Sequence, residues 1–299
     1  MTQRDQTRGS AATRPPVSRP LLLPRFSLEL DGRGVGSVLR DPASLAAAVS
    51  SECARRGYDG AVVDGLSSWT SAGVPEEAMS RVVRALAAAL STSGRQLVIA
   101  LPHGTAATTL AGLTGPGGAS FVMLMTYDAS LSAPPGPNAP MSWLVKHMEA
   151  SLGAPIGEAA ENEACAAGDD MQPASRGGEC GGGKGAVGAP SRPAPAQLLL
   201  GVNFYGWAFR RDGRPPDAVL GDDATALLSE GATLRWDAKA EEHWFSASPP
   251  PDAPRSGRRV VYYPTPSSLL PRLRLARAAG VGVAVWELGQ GHAWLFDLL

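Results

Sequence analysis

Cysteine is scarce, with Cys53, Cys165 and Cys180 the only ones in 299 residues. That number excludes a disulfide-stapled scaffold, and the spacing fits no metal-binding pattern. Lysine is equally rare, at Lys146, Lys184 and Lys239, so the 27 basic residues are almost all arginine. Set against 28 acidic residues, they leave a net charge of -1. No basic stripe interleaves with aromatics, so no nucleic-acid partner is expected. No apolar run reaches the roughly 18 residues of a membrane span. No glycine-rich phosphate loop follows the first strand-like run, which argues against a nucleotide site. His103, His147, His243 and His292 are scattered without ligand spacing, so neither a metal nor another cofactor is expected. The first 20 residues carry Arg4, Arg8, Arg14 and Arg19 against Asp5, without the apolar stretch of a secretion signal. They read as a disordered tail.

Glycine and proline, by contrast, are abundant at 35 and 26. Part of that excess is local. Residues 153–196 hold 10 Gly and 5 Pro in 44 positions and contain no Leu, Phe, Trp or Tyr. Such a stretch cannot bury enough apolar surface to offset its ordering entropy, and it reads as a long surface loop. A shorter loop of the same kind runs from Pro249 to Gly257. Elsewhere short apolar runs alternate with helical patterns. Strands are expected over 21–30, 61–64, 96–101, 121–126, 198–204 and 281–286. Helices are expected over 45–56, 75–90, 141–152 and 267–279, with Gly57, Gly94 and Gly280 closing three of them. Aromatic-rich strand-like pieces at 234–236 and 260–263 mark a small β-rich insertion, 231–264, before the last strand.

Apolar strands without alternation are buried on both faces, as parallel strands are. Strand–helix alternation then gives an α/β fold. Polar or aromatic residues close most strands: Asp64, His103, Tyr127-Asp128, Asn203 and Tyr205, Trp286-Glu287. Functional side chains ringing the carboxyl ends of several strands are the arrangement of a (β/α)8 TIM barrel.

Four of these strand ends resemble glycoside hydrolase family 18, the chitinases. Tyr58-Asp59-Gly60-Ala61-Val62-Val63-Asp64-Gly65-Leu66 resembles the family's fourth-strand signature D-x-x-D-x-D-x-E. Met125-Thr126-Tyr127-Asp128 is similar to the sixth-strand motif. Leu200 to Gly206 is similar to the seventh strand and Val285 to Gly291 to the eighth. Leu124 to Asp128, Pro135 to Pro140 and Trp286 to Gly291 are closer to one subgroup, the stabilin-interacting chitinase-like lectins (chitinase domain-containing protein 1). The resemblance covers about 21–299 apart from the low-complexity loop. It implies a chitinase-type barrel whose 61–64 strand is the fourth. Only one strand precedes it, so the first two are expected to be missing, as in a truncated or incompletely assembled chain that is poorly stable alone.

Family 18 chemistry needs a glutamic acid to protonate the glycosidic oxygen, while the substrate's own acetamido oxygen attacks. An aspartate two residues before that acid orients the acetamido group. By resemblance, Asp59 and Asp64 match the first and third aspartates, Val62 stands at the second, and Leu66 stands at the acid. Tyr127, Asp128, Tyr205 and Trp286 match the sugar-holding positions. Leucine donates no proton, and general acid catalysis contributes about 10²–10⁴-fold. The resemblance therefore implies a protein that binds chitin or N-acetylglucosamine oligosaccharides with little hydrolysis. It also implies an extracellular or lysosomal setting and a sorting or scavenger receptor as partner. Two alternatives stand beside it: a weak hydrolase with a displaced acid, Glu287 or Glu29, and a protein-interaction scaffold with a vestigial groove. Glu287 has the opposite strand parity to Trp286 and should point away from the interior. His103 reads as a loop histidine more readily than as a groove contact. Trp207 either widens the aromatic surface or covers the rim. Trp69, Trp143, Trp236, Trp244 and Trp294 read as core or rim.

Overall fold

The computed structural model describes residues 19–131, 134–156, 193–249 and 257–299. The tail read over 1–20 and the loop read over 153–196 lie almost wholly outside the described residues. In chain order the strands are β1 (Arg25–Ser27), β2 (Gly60–Asp64), β3 (Gln96–Pro102), β4 (Phe121–Met125), β5 (Leu198–Asn203), β6 (Gly206–Phe209), β7 (Asp217–Val219), β8 (Arg235–Asp237), β9 (Glu242–Ala247), β10 (Arg259–Tyr263) and β11 (Gly282–Trp286). The helices are α1 (Gly32–Arg40), α2 (Pro42–Arg56), α3 (Leu66–Ser71), α4 (Glu76–Ser91), α5 (Ala107–Thr114), α6 (Met141–Leu152), α7 (Gly221–Ser229) and α8 (Pro266–Ala278).

Six strands form one parallel sheet in the order β1-β2-β3-β4-β5-β11. With its helices this is a partial (β/α)8 barrel, and β1 and β11 are its edges among the described residues. Alternation within the strands separates two apolar layers. Leu97, Ile99, Val122 and Leu124 pack outward with Leu86, Leu90 and Leu144 of the helices. Ala100, Met123, Tyr127 and Tyr205 pack inward, with Met125 and Trp286 against them. That two-sided burial is why these strands carry no polar alternation.

The helices follow local signals. α2 begins at Asp41, whose carboxylate accepts from Ser44 N, has Pro42 in its first turn, and ends at Gly57 in the left-handed conformation. At the start of α8, Thr265 and Ser268 cap one another's backbone N–H groups. The sequence misses α1, where three glycines lower helix propensity although Asp31 caps Gly34 N at 2.7 Å. It also misses α3, α5 and α7, each of nine residues or fewer. The first strand is shorter than 21–30 because Pro24 has no N–H to give the ladder. Extended pairing with the β2 segment still runs from Leu22 O, accepting from Asp59 N, to Leu28 N, donating to Asp64 O.

A second, antiparallel sheet lies between β5 and β11 in the chain, ordered β7-β6-β10-β9-β8. It begins at Gly206, earlier than the 231 expected from the aromatic pieces, because β6 follows β5 after a two-residue bend. A side chain at Gly206 would bring its Cβ to 2.1 Å from Tyr262 O, so the bend needs glycine there. Ala208, Val219, Ala224, Phe245, Val261 and Tyr263 form this sheet's own core. A buried ion pair ties it to the barrel. Arg272 of α8 donates to Glu242 of β9 at 2.9 Å, and both side chains are under 10 % exposed. Glu242 also accepts from the backbone N–H groups of Asn138 and Ala139, at 2.8 and 2.6 Å. Burial pushes the Glu242 carboxyl up and the Arg272 guanidinium down, each against the attraction of the other. No helix among the described residues is long and apolar enough to cross a membrane.

Candidate functional site

The carboxyl ends of β2, β4, β5 and β11 build one mouth. Ala61 and Val63 of β2 belong to the helix-side core, so Val62 and Asp64 project to the inner face. Asp64 accepts from Gly65 N at 2.6 Å, and its other oxygen faces Arg25 Nε at 3.0 Å. Arg25 extends across the interior, and its guanidinium lies 5.1 Å over the ring of Trp286. The two edge strands of the sheet thus meet through an arginine, an aspartate and a tryptophan.

The β4 end supplies Tyr127 and Asp128. Asp128 has φ of +67°, a left-handed conformation that aspartate tolerates better than most residues. Its N–H donates to Asn138 Oδ1 at 2.6 Å, which holds that conformation. The Asp128 carboxylate then accepts from the Tyr205 hydroxyl at 2.6 Å and from Trp207 Nε1 at 2.8 Å. Tyr127 and Tyr205 meet edge to face, with centroids 6.2 Å apart, and Trp207 follows 5.5 Å from Tyr205. Burial raises the Tyr205 phenol well above its ordinary value, and the hydrogen bond to Asp128 adds to that, since the neutral hydroxyl is the donor. Burial also raises Tyr127, reinforced by the negative charges of Asp128 and Asp64 and opposed by Arg25. Both hydroxyls stay protonated across the physiological range.

Asp64, Tyr127, Asp128, Tyr205 and Trp286 are therefore brought together around this mouth. Leu66 stands elsewhere. Gly65 has φ of +92°, and a Cβ on it would approach Leu28 C to 2.8 Å, so the chain turns sharply after Asp64. That turn cancels the shared parity of positions 64 and 66. Leu66 opens α3, is 1 % exposed, and packs in the helix-side core. There it lines a cleft of about 300 Å³ with Thr70, Met79, Leu101 and His103. Asp59 lies at the amino end of β2, where it accepts from Leu22 N at 2.8 Å and pairs with Arg19. The Arg19 hydrogen bond holds its carboxyl down at about 2.

β11 ends at Trp286, and Glu287 is exposed immediately beyond it. Its carboxylate accepts from Gln290 Nε2 at 2.9 Å. Glu29 is exposed beyond β1. His103 packs with Trp143 and His147, centroids 4.5 to 4.7 Å apart. Sequence reasoning missed Arg25, whose inward direction follows from its pairing opposite Val62, and Asn138, which holds Asp128. Among the described residues no three His, Cys, Asp or Glu side chains are grouped to hold a metal. Chemically, the mouth offers an aromatic face, two carboxylates and neutral hydroxyls, which suits a polar ring with an apolar face.

No protein-family model matches the chain. Solved structures do resemble it. A chitinase from Chromobacterium violaceum ATCC 12472 superposes with a TM-score of 0.64 at 20 % identity, over 92 % of this chain and 77 % of that one. The spore cortex-lytic enzyme SleL of Bacillus cereus gives 0.67 at 18 % identity, over 92 % and 58 %. A family 18 chitinase mutant from Cycas revoluta, solved in complex with (GlcNAc)4, gives 0.56 at 16 % identity, over 89 % and 76 %. At these identities the likeness is one of fold.

Proposed function

We propose that the protein is a chitinase-like carbohydrate-binding protein of the glycoside hydrolase family 18 type, closest to the chitinase-like lectins, that binds chitin or N-acetylglucosamine oligosaccharides and does not hydrolyse them. The observation that carries the reading is the division of labour at the end of β2. Asp64 faces a mouth furnished with Tyr127, Asp128, Tyr205 and Trp286. The residue two places on, where the resemblance calls for a proton donor, is a leucine buried among helices. A sugar ring would lie on Trp286, and the carboxylates and the two tyrosines would hold its polar edge. The fold shared with chitinases, one of them solved with (GlcNAc)4, supports the same ligand class. An extracellular or lysosomal location and a sorting or scavenger receptor belong to the proposal through the lectin resemblance.

Calorimetric titration with chito-oligosaccharides tests it. Binding is expected in the wild type, with a loss of about tenfold or more in Trp286→Ala, since truncating an interfacial aromatic commonly weakens binding that much. No heat with any oligomer overturns the reading. A displaced acid is the second reading, with Glu287 exposed immediately after Trp286 at the end of β11. It requires turnover of a fluorogenic chitobioside that disappears in Glu287→Gln. Turnover in the wild type would replace the binding-only proposal.

A further inference from the structure

The helix side of the parallel sheet carries a cleft that the mouth does not use. β2 and β3 are neighbours in the sheet, and the chain turns sharply after each. After β2, Gly65 turns it into α3 with φ of +92°. After β3, Gly104 turns it with φ of +72°, and α5 follows at Ala107. Between those turns and the first turns of α4 and α5 a space of about 300 Å³ is left. Its floor is aliphatic: Leu66, Met79, Leu101 and Leu113 line it, each 5 % exposed or less. Its rim is polar, with Thr70 and Glu76 exposed and His103 and Thr109 half-buried. The Thr109 hydroxyl donates to Glu76 at 2.6 Å, which ties α5 to α4 across the rim. A buried apolar floor under a few convergent polar groups is the makeup of a small-molecule site, and this volume lies at the small end of such sites.

The charge of the rim names the class of ligand. Among the described residues no arginine or lysine lines the cleft. Burial holds the His103 imidazole below its ordinary value, so it is neutral at pH 7. Glu76 is then the one charged side chain of the lining, and it forms no ion pair among the described residues. A carboxylate has room for about four hydrogen bonds, and Thr109 supplies one. A ligand that answers both parts carries an ammonium group for Glu76 and an apolar tail for the floor. An anion is repelled at the rim. A sugar would bring its hydroxyls to a floor that has neither an aromatic ring nor a hydrogen-bonding side chain to receive them.

We propose that this cleft is a second binding site, separate from the mouth, for a small primary ammonium compound with a short alkyl tail. Gly65 sets the two sites apart, with Asp64 facing the mouth and Leu66 the cleft, so the inference does not rest on the sugar reading. Methyl NMR of the full chain, titrated at pH 7 with hexylammonium, hexanol and hexanoate, tests it. Hexylammonium is expected to shift the methyl signals of Leu66, Met79, Leu101 and Leu113 in a saturable way. Hexanol is expected to reach the same methyls about threefold more weakly, because an ion pair at an exposed rim adds little more than that, and hexanoate more weakly still. Glu76→Gln is exposed, keeps the side chain's length and can still accept from Thr109, so its fold is not at risk. It is expected to bring hexylammonium down to the affinity of hexanol and to leave hexanol within about twofold. Absence of saturable shifts at these four residues with hexylammonium overturns the site. Equal affinity of the wild type for the three probes, or hexylammonium affinity unmoved in Glu76→Gln, overturns the assignment of an ammonium ligand and the proposal with it.

Discussion

Removing Arg25 should make the protein bind sugar better. Its guanidinium covers the Trp286 ring at 5.1 Å and pairs with Asp64 at 3.0 Å. A saccharide that stacks on Trp286 must first displace it. The side chain is 45 % exposed, so solvent discounts both contacts. An exposed cation–π contact is worth about 0.5–1 kcal/mol. An exposed ion pair is worth about 0.2–1 kcal/mol. Together they cost a ligand about 0.7–2 kcal/mol, so Arg25→Ala should tighten chitotetraose binding about threefold to thirtyfold. Asp64 keeps its hydrogen bond from Gly65 N in the variant, so its carboxylate is not orphaned. Isothermal titration at low and high salt provides the check. The wild type should gain affinity as salt screens the pair, and Arg25→Ala should gain less. Arg25→Gln, which keeps length but loses charge, should fall between. Weaker binding by Arg25→Ala than by the wild type would refute the reasoning, because the arginine would then be holding the sugar rather than covering its platform.

Other consequences can be measured directly. Leu66→Glu should not restore hydrolysis, because Gly65 turns that side chain into the helix-side core, and it should lower stability by several kcal/mol through an unpaired buried charge. A fluorogenic chitobioside assay and a denaturant melt read both effects, and turnover in the variant would show that position 66 reaches the mouth. Glu242→Ala leaves Arg272 buried without its partner and should cost about 3–5 kcal/mol by urea unfolding; a change below 1 kcal/mol would contradict the burial described. Burial holds the His103 and His147 imidazoles below their ordinary value, and the unfolded chain takes up those protons first as acid is added. The stability that the neutral rings contribute is thus full above about pH 6.5 and lost as pH falls through their folded values. His103→Gln should flatten the thermal melting profile between about pH 7 and 5, and an unchanged slope would exclude His103 as its source.

The sequence carried most of the barrel because parallel strands buried on both faces leave continuous apolar runs, as at 96–101 and 121–126. It carried the mouth to the extent that the mouth is made of strand ends: Asp64, Tyr127, Asp128 and Trp286 were visible as polar or aromatic stops. What it missed lies in backbone turns and in long separations. Nothing in the spacing of Asp64 and Leu66 reveals that a left-handed glycine sends them to opposite sides of the sheet. Arg25 sits in a three-residue strand after a proline, too short for alternation to register. Arg272 and Glu242 meet across 30 residues, and Asn138 and Glu242 across 104, distances at which no local pattern operates.

The Glu242–Arg272 pair has a consequence for how this molecule can be altered. Glu242 belongs to the second sheet, yet it grips the backbone of Asn138, and Asn138 fixes the left-handed turn of Asp128 on which Tyr205 and Trp207 are hung. The second sheet is therefore a keystone rather than a detachable ornament. Recombination that exchanged or excised residues 206–263 would leave the parallel strands in place and still dismantle the mouth. The two sheets have to be inherited, and engineered, as one unit.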